Sequence, residues 1–135
     1  MSRTHLARIL PLLLVLTAAP LTSCILVAGA GVGYVVSQNV LPNDVHVSEV
    51  ADDVDTVWSS VTQSMEILVD PGSELLINDI PRSIQCKVDG AKVKVEVEAF
   101  DIDRTTIRVQ AEKYLASDNE AANDVMNTIL RRLQE

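Results

Sequence analysis

The sequence predicts an α+β fold, a two-layer sandwich in which an antiparallel sheet of three to five strands carries two helices on one face, in the order β-α-β-β-β-α. Three observations predict it. Asp89-Gly90 separates two runs whose apolar residues alternate, the pattern of a type I′ hairpin. A third alternating run follows at Thr105–Glu112. Flanking these are two stretches whose apolar residues recur every three or four positions, so each makes one apolar helix stripe that must be buried against the sheet.

Taken in order, Asp44 to Val50 alternates at Val45 and Val47 and reads as a short strand. Val54, Val57, Trp58, Val61, Met65 and Leu68 then follow helical spacing. Asp52, Asp53 and Asp55 fall at the start of that helix, where free amides and the macrodipole favour carboxylates, so capping accounts for them without chemistry. Pro71-Gly72 ends the helix. Glu74 to Ile80 reads as an edge strand stopped by Pro81.

Across the Asp89-Gly90 loop, Val88 should face Ala91, Cys86 should face Val93 and Ile84 should face Val95. This puts every apolar residue on one face and sets Lys87 against Lys92 on the other. The turn Phe100–Arg104 returns the chain so that Val97 meets Ile107, Val95 meets Val109, Glu96 meets Arg108, and Glu112 arrives to offset Lys92. Ser117-Asp-Asn-Glu120 has the spacing of a capping box ahead of Ala122, Val125, Met126, Ile129 and Leu133, a second amphipathic helix with Arg131 and Arg132 in its last turn.

The N-terminal third has a different character. Arg3 and Arg8 precede the apolar run Ile9–Leu16, and Pro20 breaks the segment before Leu21-Thr-Ser-Cys24, which resembles a bacterial lipobox. An 11-residue helix from Leu6 would span about 16 Å, roughly half of a hydrocarbon core of about 30 Å. The reading is a signal peptide over 1–23, cut between Ser23 and Cys24, with Cys24 as the lipid (palmitate) attachment site. The rival is an uncleaved, transmembrane-anchored chain, because apolar residues resume from Ile25 to Val36. That tract carries Gly29, Gly31 and Gly33. It reads as a tether over 24–44, or as a self-associating stripe of small residues. Asn39, Pro42, Asn43 and Asp44 mark the boundary, leaving 45–135 as one domain.

Composition excludes several classes. Removing 1–23 takes away Arg3 and Arg8 but no acid, leaving nine basic against nineteen acidic residues, so the domain does not suit nucleic acid or anionic headgroups. If Cys24 is acylated, Cys86 has no disulfide partner, and its place between Ile84 and Val88 makes it a buried strand residue. Asp101-Ile-Asp103 begins like a calcium loop but lacks the later ligands, and reads as a polar turn. His46 is the one histidine after the signal and reads as a surface or edge-strand residue. No nucleophile with base and orienter, no phosphate loop and no metal spacing is present, so no catalytic, cofactor-binding or metal residue is named.

The lipobox at Cys24, the Gly/Ala-rich tract through Gly33-Tyr34, Val57-Trp58, Asp89-Gly90 before Lys92-Val93, and Thr105-Thr-Ile-Arg-Val109 together resemble a family of short uncharacterised bacterial lipoproteins, a domain of unknown function. That family usually has glycines after the Ile-Arg-Val segment, where this chain has Gln110, Glu112 and Lys113. The resemblance implies membrane attachment and an α+β domain, and no activity. Ile25 stands where lipoproteins retained in the inner membrane carry aspartate, so the expectation is an outer-membrane lipoprotein of the cell envelope, facing the periplasm. On it, a non-enzymatic interaction or structural module would meet an envelope protein partner, with Glu74–Ile80 as a candidate edge. The alternative is a carrier or sensor of lipid or a small apolar ligand, which would need a cavity of about 300 Å³ or more lined by Val95, Val109, Trp58 and Met126.

Overall fold

The Asp89-Gly90 turn forms because both residues take positive φ, 49° and 77°, the conformation a two-residue hairpin requires. It joins β4 (Arg82–Val88) to β5 (Ala91–Asp101) in the expected register, with Val88 facing Ala91, Cys86 facing Val93 and Ile84 facing Val95. Strand β6 (Arg104–Lys113) pairs with β5 as expected, bringing Val97 to Ile107 and Val95 to Val109. The computed structural model describes residues 34–135. The expected signal peptide 1–23, the expected attachment site Cys24 and the tract 25–33 lie outside the described residues.

Among the described residues the fold is α+β, an antiparallel sheet with two helices, but the sheet has seven strands, not three to five. Its path is β1 (Tyr34–Leu41), β2 (Val45–Ala51), β6, β5, β4 and β3 (Leu76–Asp79), with the two-residue β7 (Ala116–Ser117) paired to the end of β6. The additional strands have physical reasons. Residues 34–41, read from sequence as part of the tether, form β1 (Tyr34–Leu41), an edge strand paired with β2 (Val45–Ala51). The turn formers that suggest a linker make the β1–β2 hairpin instead, with Asn43 and Asp44 at φ 67° and 54°. Strand β3 (Leu76–Asp79) pairs with β4, and Ile80-Pro81, a cis peptide, makes the turn between them. Strand β7 follows a turn whose central residues, Tyr114 and Leu115, take positive φ without being glycine, which no sequence rule foresees.

Strand β2 also faces the other way. Its alternation reads Val45 and Val47 as inward, yet His46, Ser48 and Val50 are buried on the core face and the two valines lie half-buried on the outer one. Val50 decides the matter. It shares parity with His46 and Ser48, and the register that buries it opposite Thr105 carries Ser48 to Ile107 and His46 to Val109.

Helix α1 (Val54–Leu68) starts at Asp53, whose carboxylate accepts from the Asp55 and Thr56 amides. Helix α2 (Asn119–Leu133) is capped by Asp118, which accepts from the Ala121 amide at 3.0 Å. The expected cap, Ser117, is a β7 residue whose hydroxyl donates to Asp44 Oδ2 at 2.5 Å. The helices touch each other and pack on the sheet face made by Ile84, Val93, Val95, Ile107 and Val109. Val57, Val61 and Met65 of α1 and Val125, Met126 and Ile129 of α2 complete the core. At about 25 cal/mol per Å², burial of these side chains is the main favourable contribution to the fold. No helix among the described residues is long and apolar enough to cross a membrane.

Candidate functional site

The core face of β2 places two polar side chains, His46 and Ser48, opposite the apolar Val109 and Ile107 of β6. His46 is buried, contrary to its sequence reading as a surface residue, because it shares the face that Val50 fixes. Its Nε2 lies 2.5 Å from Asn119 Oδ1 at the start of α2, an acceptor to which the ring N–H donates. Ser48, two residues along on the same face, is buried and its hydroxyl has no partner among the described residues. Gln38 and Val40 of β1 and Asn123 and Met126 of α2 close a notch of about 150 Å³ around them. The histidine bonds Asn119, so no Ser–His dyad is assembled. With about 30 Å³ per water, the notch has room for a few waters or one small polar molecule.

A larger concavity of about 910 Å³ lies on the outer face of the sheet. Its wall is the loop after α1, held down by Asp70, whose carboxylate accepts from the Asp89 and Gly90 amides at 2.7 and 2.9 Å. Lys87, Lys92 and Lys94 line it, balanced by Asp70, Glu74 and Glu112. Three charges of each sign leave no net field to select an ion. Glu112 reaches the register position opposite Lys92 but forms no ion pair with it. The outer-face pairs are instead Lys94–Glu96 at 2.6 Å and Arg108–Glu98 at 2.9 Å. These are exposed and contribute only about 0 to 1 kcal/mol each.

The acidic cluster before α1 is occupied structurally. Asp53 caps the helix, and the Thr56 hydroxyl that donates to it holds its carboxyl below the ordinary range. Asp55 pairs with Arg82. Asp52 has its pKa raised by burial, and its Oδ2 is without a partner. Among the described residues no group of three or more His, Cys, Asp or Glu could hold a metal ion. Cys86 is buried and has no disulfide partner among the described residues, and that burial, with the nearby Asp70 charge second, pushes its thiol up to about 11, so it stays protonated and unreactive at neutral pH. Of the residues proposed to line a carrier cavity, Val95 and Val109 are fully buried and line neither the notch nor the outer concavity, whereas Met126 lines the notch. Trp58 turns its Nε1 to Asp79 Oδ1 at 3.2 Å, fastening β3 to α1.

Exposed apolar residues gather at the edge and the turns. Strand β3 is exposed along its length and presents Leu76 and Ile77. Ile80 is 95% exposed in the β3–β4 turn, Ile102 is 84% exposed and Phe100 58% exposed at the β5–β6 turn, and Tyr114 and Leu115 are 93% and 99% exposed at the opposite end. Sequence reasoning misses these turn residues because it assigns turns by their Pro, Gly, Asn and Asp and passes over an apolar residue among them. The one available signal is that the only phenylalanine of the chain, Phe100, stands beside a turn and outside both helix stripes. No protein-family model matches this chain, and no curated protein is significantly similar to it.

Proposed function

We propose that this chain is a bacterial lipoprotein, cut between Ser23 and Cys24, acylated at Cys24 and held on the outer membrane facing the periplasm, whose α+β domain is a non-enzymatic interaction or structural module for an envelope protein. The observation that carries the interaction reading is the contrast between the two sheet edges. On β1 the register shifts between Val35 and Ser37, a bulge of the kind that blunts an edge. On β3, Leu76-Ile77-Asn78 is exposed with neither bulge, lysine nor proline, and its outer backbone groups are open to an added strand. Solid packing at Val95 and Val109 supports an interaction module over a carrier. The acidic balance of the chain favours attachment through lipid over attachment through charge.

The test is photocrosslinking in intact envelopes from a reactive residue substituted at Leu76, in the otherwise native chain and in its Cys24→Ala variant. The proposal expects a discrete protein adduct that requires Cys24 and is lost when Ile77→Lys is added. Absence of any adduct from the acylated chain would overturn it.

A further inference from the structure

The register of the sheet fixes where the N-terminal segment joins the domain relative to the exposed apolar turns. Tyr34 pairs with Ala51, Val50 pairs with Thr105, and Asp101 pairs with Arg104. Tyr34 is therefore level with the β5–β6 turn and two strands away from β6, roughly 10 Å at about 4.8 Å per strand. At that turn Ile102 is 84% exposed and Phe100 is 58% exposed, with the Arg104 guanidinium 4.7 Å from the centre of the Phe100 ring. Ile80 is at the same end but farther back. Ser83 faces Glu96, so the β3–β4 turn stops about three residues, roughly 10 Å, short of Ile102.

Resting on the lipid-anchor reading, we infer that the Phe100–Ile102 turn is a membrane-contact tip, inserted into the interfacial region of the bilayer to which Cys24 is attached. Nine residues lie between Cys24 and Tyr34, so the tether reaches at most about 35 Å. A tether of that length leaves the domain free to stand off the surface. The apolar tip is what draws it down. Its chemistry also selects the surface: Asp101 and Asp103 flank Ile102, Arg104 offsets one of them at 3.8 Å from Asp101, and the remaining negative charge suits zwitterionic lipid over anionic lipid. In this orientation the Asp89-Gly90 turn, Tyr114 and Leu115 are turned away from the membrane.

The test uses the full, acylated chain in phosphatidylcholine vesicles, with a nitroxide at Ile102→Cys or, as the far-end control, at Leu115→Cys. The buried Cys86 thiol reacts slowly with the label. Adding vesicles should cut collisions of the Ile102→Cys label with an aqueous nickel chelate and raise its collisions with oxygen, leave Leu115→Cys unchanged, and act more weakly when phosphatidylglycerol replaces half the lipid. Equal protection at both positions, protection at Leu115→Cys alone, or none at either overturns the inference while the anchor stands. Protection of Ile102→Cys without vesicles marks contact with a second copy and also overturns it. Mass spectrometry of the same sample separates the two failures, because a chain without acyl groups removes the anchor reading and the tip with it.

Discussion

Asp70 is a direct handle on how the loop after α1 is held to the sheet. A type I′ turn leaves the amides of its two central residues pointing outward, and here the Asp70 carboxylate takes both, from Asp89 at 2.7 Å and Gly90 at 2.9 Å. Replacing Asp70 by Ala removes two charge-assisted acceptors. Both bonds are exposed, so water substitutes in part, and each loss should cost about 1 kcal/mol, less than the roughly 1.5 to 3 kcal/mol of hydrogen bonds to a charged group, or about 2 kcal/mol together. For a domain near 100 residues that lowers Tm by roughly 8 to 16 °C. Asp70→Asn keeps one carbonyl acceptor and should fall midway. The Asp70 amide bond to the Lys87 carbonyl at 2.8 Å is unaffected by either change, so the fold survives and the effect stays local. Thermal melts give the magnitude, and hydrogen exchange at the Asp89 and Gly90 amides gives the location. Unchanged Tm and unchanged exchange at those amides in Asp70→Ala would refute the reasoning.

Three further outcomes are expected. Ser48→Ala removes a buried hydroxyl that has no partner among the described residues and should leave stability unchanged or raise it by up to about 1 kcal/mol, so a clear loss in a denaturant titration would mean that the hydroxyl is satisfied. The Cys86 thiol is raised to about 11 in the fold, so the native state holds its proton longer than the unfolded chain. The resulting stability is complete below the ordinary thiol pKa of about 8.5 and is lost as pH rises toward 11, and comparison of urea midpoints with Cys86→Ala between pH 8 and 11 should isolate that slope. Asp53 works in the opposite direction: its carboxyl is held low by the Thr56 hydroxyl, so its contribution is present above the ordinary carboxylate pKa and disappears as pH falls through the lowered value. Asp53→Asn should therefore flatten the acid limb of the stability curve.

The central hairpins were legible because alternation, a glycine turn and cross-strand pairing all demanded the same register. Moving Val95 off Val109 by one residue would turn every valine of β5 into water. The helices were legible from their stripes, although the α2 cap lies one residue later than the box spacing suggests, since Ser117 is needed by β7 and Asp118 supplies the cap. The edges were not legible. In β1 only Tyr34, Val35 and Val36 precede polar residues, and an edge strand half open to solvent need not alternate cleanly. In β2, two valines outvoted one. Val47 and Val45 lie on the outer face beside Asn39 and Leu41 of β1. That reversal is why the polar notch around His46 and Ser48 escaped sequence reasoning. A histidine beside valines gives no sign of which side it takes until the partner strand is known.

The anchor is the claim on which the functional account stands, and the most direct measurement is the intact mass of the protein extracted from the membranes of the cells that make it. The account predicts a chain that begins at Cys24 and carries a diacylglyceryl group with a further acyl chain, with residues 1–23 removed. A mass matching the unmodified chain from Met1 would contradict it.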